Sequence, residues 1–162
     1  MKTFKQFIHE SSLSRVVSKS KKGGTAILSG SRADKSPKEN KARAKQLDKD
    51  IRGKGYPGAT KVTGRWTENP GTKDEKKVKE RSHVVTSGKK SKKKFKKDMK
   101  KLGKKYKQDA VLTQTKKTGT LSATRKGGLG KDKRVGVGKM RPGRPDKEGD
   151  TAVKKKPFSY SK

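Results

Sequence analysis

The sequence predicts an α+β fold: a small β-α-β-β-α-β domain over residues 25–114, followed by a disordered basic tail. Three observations carry this expectation. Ser36-Pro37-Lys38-Glu39 is a helix start in which a capping serine, a proline at the first helical position and a reciprocating glutamate agree. Phe95, Met99, Leu102 and Tyr106 recur at helical spacing and form one apolar stripe. Around these two helices lie four short apolar or alternating runs bounded by turn residues.

Taken in order, residues 11–24 are rich in Ser, Lys and Gly and read as a flexible linker. Thr25–Ser29 is an apolar run stopped by Gly30 and reads as the first strand. The helix opened at Ser36 carries Ala44, Leu47 and Ile51 on one face and stops at Gly53. Ala59–Trp66 alternates through Val62, Gly64 and Trp66 and reads as the second strand, with 68–79 as a loop. Arg81–Thr86 is the third strand. Ser91 caps the second helix, in which Gly103 is a weak point. Asp109–Thr113 is the fourth strand, and both helices pack on one face of the sheet. Residues 115–162 hold eight Gly, three Pro and a net charge of +11, without periodicity, and read as a disordered tail. Phe158 and Tyr160 are expected to be solvated aromatics in its frayed end.

Composition points to the partner. The formal charge is +34 over 162 residues, from 49 Lys plus Arg against 15 acids, and 39 of the basic residues are Lys. Such a charge has to be solvated or matched by a polyanion. Lysine is a flexible point charge suited to phosphate, whereas arginine supplies the fork that reads bases. The expected partner is therefore nucleic acid, chiefly double-stranded DNA, bound through its backbone. Residues 89–107 hold 12 Lys and one acid, Asp98, around the apolar stripe. Lys90, Lys93, Lys94, Lys97, Lys101 and Lys104 are the expected phosphate contacts, with Arg141 and Arg144 in the tail. Gly143-Arg144-Pro145 has the core of a minor-groove hook, although Pro142 stands where a second Arg would precede the glycine.

Other chemistry is thinly represented. No cysteine is present, which removes disulfides, thiolate metal ligands and thiol nucleophiles. No apolar run reaches membrane-span length and no secretory leader is expected. Gly127-Gly-Leu-Gly-Lys131 fails as a phosphate loop, because Asp132 replaces the required hydroxyl and the spacing is wrong. His83 stands alone in a strand. Arg32, Asn40, Glu68, Glu80 and Gln108 are the candidate polar site: the two glutamates flank the 68–79 loop, where paired carboxylates would hold a divalent metal beside a phosphate. Surface pairing with neighbouring lysines is the competing reading of those acids. No cofactor or resident metal is expected, and the balance is against an enzyme.

Two resemblances add to this. Met1-Lys-Thr-Phe-Lys-Gln-Phe-Ile-His-Glu10 resembles the capsid-targeting propeptide of T-even-like phage internal head proteins. The resemblance implies cutting by a prohead protease between Glu10 and Ser11, with Ile8 and Glu10 recognised. It also implies capsid or scaffold partners for residues 1–10, a place inside the virion, and the host cytoplasm after ejection. Second, Ser29-Gly-Ser-Arg32, Asn40, Leu47, the Gly53–Gly64 stretch, Trp66-Thr-Glu68, Glu80-Arg-Ser82 and Gln108-Asp-Ala110 follow an order similar to a small family of phage and bacterial proteins of unknown function. The expected function is an internal virion protein that binds packaged DNA without sequence preference. The alternatives are a metal-dependent nuclease or an RNA-binding protein with basic extensions.

Overall fold

The computed structural model describes residues 12–22, 24–68, 71–143, 149–153 and 156–161. The address read at residues 1–10 and the cleavage residues Ile8, Glu10 and Ser11 lie outside the described residues. Three helices accompany eight strands: α1 (Ser12–Lys22), α2 (Pro37–Gly53) and α3 (Lys92–Lys105), with β1 (Thr25–Leu28), β2 (Thr60–Glu68), β3 (Lys76–Thr86), β4 (Ala110–Gln114), β5 (Gly119–Ala123), β6 (Arg134–Pro142), β7 (Gly149–Val153) and β8 (Lys156–Ser161). The α+β class holds, and residues 25–114 run β1-α2-β2-β3-α3-β4 as expected. All pairings are antiparallel. The order around the sheet is β1-β3-β2-β7-β8-β6-β5-β4, and β4 pairs back onto β1 to close a barrel.

Three expectations need correction. The 11–24 segment is helical from Ser12 to Lys22, not a linker. Leu13, Val16, Val17 and Ser20 fall at spacings of three, one and three, which gives α1 one buried edge. The loop expected over 68–79 is shorter: β2 runs to Glu68 and β3 starts at Lys76, pairing along β2 with Lys76 opposite Glu68 and Val78 opposite Trp66. The tail is ordered where it is described. Its four strands are held by ladder hydrogen bonds to neighbours, so each needs only one or two apolar residues. Phe158, expected in solvent, is fully buried.

The sheet separates two cores because strand side chains alternate. Ala26 pairs with Val85 on one face, and Ile27 pairs with Val84 on the other. On the outer face, Ala26, Leu28, Val85 and Val111 pack against Leu47 and Ile51 of α2 and Phe95, Met99 and Leu102 of α3. On the inner face, Ile27, Val62, Val84, Met140 and Phe158 meet Val16 and Val17 of α1. α1 therefore packs one edge, Leu13, Val16, Val17 and Ser20, against this inner face, with Arg15, Ser18, Lys19, Lys21 and Lys22 exposed. Full burial of a side chain such as Phe95 or Phe158 contributes about 1.5–3 kcal/mol.

Local chemistry fixes the two outer helices. The capping box forms as written: the Ser36 hydroxyl accepts from the Glu39 amide, and the Glu39 carboxylate accepts from the Ser36 amide. Ser91 caps α3 through the Lys94 amide. Gly103 has a positive role. A Cβ there would meet Val111 Cγ2 at 2.4 Å and Thr124 Cγ2 at 2.9 Å, so the missing side chain lets α3 approach the strands. Two tyrosine–aspartate bonds tie the helices reciprocally. Tyr56, after α2, donates to Asp98 of α3 at 2.5 Å, and Tyr106, after α3, donates to Asp50 of α2 at 2.7 Å.

Candidate active site

An open groove of about 1060 Å³ lies where the β1–α2 loop, the C-terminal end of α3 and the middle of β3 converge. The β1–α2 loop is held by a lattice of side-chain bonds to backbone. Asn40 accepts from the Arg32 amide at 2.9 Å and returns its own amide to the Arg32 carbonyl at 3.0 Å. Arg43 donates to the Gly30 carbonyl at 2.6 Å and to the Tyr106 carbonyl at 2.7 Å. Gln108 donates to the Ser31 carbonyl at 3.2 Å, and Arg32 Nη1 to the Lys107 carbonyl at 2.8 Å. Together these bonds fasten the loop to the end of α3.

That end is itself sharply shaped. The Gln108 amide bonds back to the Gly103 carbonyl and the Lys107 amide to the Lys104 carbonyl, the paired pattern that terminates many helices. Lys107 occupies the left-handed position, φ 56°, where glycine is the usual residue. The turn presents the Lys107 carbonyl to Arg32 and directs Gln108 into the groove. The Thr124 hydroxyl donates to the Gln108 carbonyl and anchors the far wall.

Acids are scarce here, and their partners distinguish them. Asp34 pairs with Arg32 at 2.7 Å, and Asp109 pairs with Arg125 at 2.6 Å. Glu80 is different. It is half-buried, and among the described residues no Lys or Arg forms an ion pair with it. Burial raises its pKa above the usual carboxylate range, and a hydrogen bond with the Ser29 hydroxyl pulls it partly back. In a groove, a half-buried carboxylate with no ion-pair partner among the described residues is a candidate receptor for a bound cation.

Of the five residues singled out as a polar site, the groove gathers Arg32, Asn40, Glu80 and Gln108. Glu68 is not brought to them along the ladder. It stands opposite Lys76, whereas Glu80 stands opposite Gly64, four residues back along β2. That separates the two backbones by about 13 Å along the strand. No cluster of three metal-binding side chains occurs among the described residues. The paired-carboxylate reading therefore fails on register. Ser29, Arg43, Asp109, Thr124 and Arg125 were missed. Arg125 stood in the supposed tail, and Arg43 is visible only as a basic residue on the turn after Asn40.

The expected phosphate-binding lysines divide into three groups. Lys90 is engaged: its ammonium is held on the Lys54 carbonyl and lies 4.8 Å above the Tyr56 ring. Lys94 pairs with Asp98 at 3.0 Å, and Lys104 lines the groove. Lys93, Lys97 and Lys101 are exposed on α3, and Arg141 is exposed on β6. Arg144 lies outside the described residues. His83 is buried between β3 and α2 with neither ring nitrogen hydrogen-bonded, and desolvation lowers its pKa.

The molecule is an antiparallel barrel with two outer helices and a braced groove in which Glu80 has no ion-pair partner among the described residues. The sequence model of the S-adenosylmethionine lyase family matches residues 26–162, from the second residue of β1 to the C-terminus. The chain belongs to that family. No curated protein matches the sequence. The family assignment overturns the internal-head-protein function, and with it the nuclease and RNA-binding alternatives, because it points to an enzyme acting on a small sulfonium compound. The physical source of the error is plain. Net charge reports the surface, whereas the chemistry rests on a few groove residues that charge counting ignores.

Proposed function

We propose that this chain cleaves a carbon–sulfur bond of S-adenosylmethionine in the groove, with Glu80 receiving the cationic end of the substrate. The observation that carries this is the half-buried Glu80 carboxylate without a protein cation. The substrate is a sulfonium ion that also bears an ammonium and a carboxylate. Glu80 complements the cation. The basic rim, which includes Arg81, Lys104 and Lys107, complements the carboxylate. Asn40, Arg43 and Gln108 are positioning residues that hold the loop carrying Arg32.

Bond breaking follows from the substrate's own chemistry. The electron pair of the broken carbon–sulfur bond goes to sulfur, which leaves as a neutral thioether, while the substrate's own carboxylate oxygen forms the new bond to the carbon that sulfur leaves and closes a lactone ring. Positive charge disappears in that step, so a poorly hydrated site favours it over water. The raised pKa of Glu80 marks such a site. Substrate binding is accordingly expected to favour the ionised carboxylate and to release protons at pH values near the free-state pKa.

Incubating the protein with S-adenosylmethionine and resolving the products by mass spectrometry tests the activity and shows which of the three bonds to sulfur is cut. Glu80→Gln keeps the shape, removes the charge, and is expected to lower kcat/KM by about 100-fold or more, on the order of 2.7 kcal/mol. Full activity in this variant, with the thermal melt unchanged, would remove Glu80 from the site.

A further inference from the structure

The groove leaves the lysines of α3 unexplained. At about 100° per residue, Lys93, Lys97, Lys100 and Lys104 fall on one line along the helix. Phe95, Met99, Leu102 and Tyr106 fall on the opposite line, and all four are buried in the outer core. The lysine line therefore points directly away from the barrel, as an exposed ridge that rises from a rigid base. Along α3 the only acid is Asp98, and it faces the core, bonded to Tyr56 and Lys94. Lys105 is paired with Asp50 of α2. Lys93, Lys97 and Lys100 form no ion pair among the described residues.

A helix with like charges three and four residues apart opposes its own formation. The Lys94–Asp98 and Lys105–Asp50 pairs offset part of that repulsion, but among the described residues no acid pairs with the outward line, and a small-molecule reaction does not need it. We propose that the α3 ridge is a second binding surface, separate from the groove except at Lys104, that docks the enzyme on the phosphate backbone of nucleic acid. From Lys93 to Lys104 the ridge spans roughly 16 Å, a length over which duplex DNA presents on the order of ten phosphates. A membrane surface is the weaker match. Helices that lie on membranes insert an apolar face, and the apolar line of α3 is already used in the core. The DNA has no structural role in this proposal: the ridge tethers a catalyst, and binding does not depend on the lyase reading being correct.

The test uses the full chain and a fluorescent duplex of about 24 base pairs of arbitrary sequence, titrated by anisotropy at several salt concentrations. The triple variant Lys93→Gln, Lys97→Gln, Lys100→Gln is compared with Lys19→Gln, Lys21→Gln, Lys22→Gln on α1, which removes the same charge elsewhere. The ridge variant is expected to flatten the slope of log K against log salt by about two to three, and the α1 variant by less than one. Equal losses in both variants would show that net charge binds and not the ridge, overturning the proposal. So would tighter, ridge-dependent binding to vesicles rich in phosphatidylserine than to the duplex. Thermal melts of both variants report folding. Turnover of S-adenosylmethionine by the ridge variant, which spares Lys104, is expected to match the parent. A loss of DNA binding with turnover retained separates the two surfaces.

Discussion

Outside the barrel, α2 and α3 lie on β1, β3 and β4 through long aliphatic and aromatic side chains, and the Tyr56–Asp98 and Tyr106–Asp50 bonds lock them together. On the inner face, α1 offers two valines and a leucine to residues drawn from β1, β2, β3, β6 and β8. The outer core is assembled entirely from residues 26–111, whereas the inner core joins the two ends of the chain. The groove belongs to the outer side, because its walls are the loop leading into α2 and the turn leaving α3. The groove is thus braced by the locally specified half, while closure of the barrel rests on contacts that no short segment can make alone.

Phe158→Ala probes the inner half and is expected to cost about 3–5 kcal/mol in urea unfolding, in a single transition. Two separate transitions, with the α2–α3 half melting at its original midpoint, would show the cores to be independent and would break the comparison. Gly103→Ala probes the close approach of α3 on the outer side. Alanine favours a helix by roughly 0.8–1 kcal/mol, yet the blocked contact with Val111 and Thr124 should reverse the sign, for a net loss of about 1–3 kcal/mol. A stabilised variant would mean that α3 can lift off without cost. Ser36→Ala should cost about 1 kcal/mol by removing the capping box, with the β1–α2 loop loosened and KM raised more than kcat is lowered.

The smallest effect concerns pH. His83 is buried neutral under α2, and desolvation lowers its pKa below 6.5, offset in part by Asp48 and reinforced by Lys61. The unfolded chain takes up that proton first as pH falls. The contribution is therefore complete above 6.5 and is lost as pH drops through the folded-state pKa. The urea midpoint should decline as pH falls below about 6.5, and His83→Leu should shallow that decline. An identical pH profile in the variant would assign the sensitivity to other groups.

The outer half was legible because its signals are local. Ser36-Pro-Lys-Glu states a helix start within four residues, and the Phe95 to Tyr106 stripe states its buried face. Arg32, Asn40, Glu80 and Gln108 were also visible as a set, but their roles were not. Nothing in sequence shows that Asn40 spends its amide on the Arg32 backbone while Glu80 stays unpaired. The inner half was hidden by composition. In α1 the Leu13-Val16-Val17 spacing is diluted by Ser and Lys, and β6 is recognisable only when its partners β5 and β8 are in place. Lysine and glycine there carry no period-two signal, and pairing is a property of the whole sheet. The family assignment corrected the function for the same reason: +34 describes the outside of the molecule, and the groove is decided by single residues.

One consequence of α1 lies in the order of events during synthesis. The helix leaves the ribosome first, yet its seat includes Met140 and Phe158, more than 120 residues later. It cannot dock until the final strands have emerged, so the two outer helices and the first four strands have time to assemble before it. Such distant contacts make closure slow relative to local folding. The nascent chain would therefore carry an open sheet edge and uncovered valines until residues 140–161 have emerged, an interval in which a chaperone has something to hold.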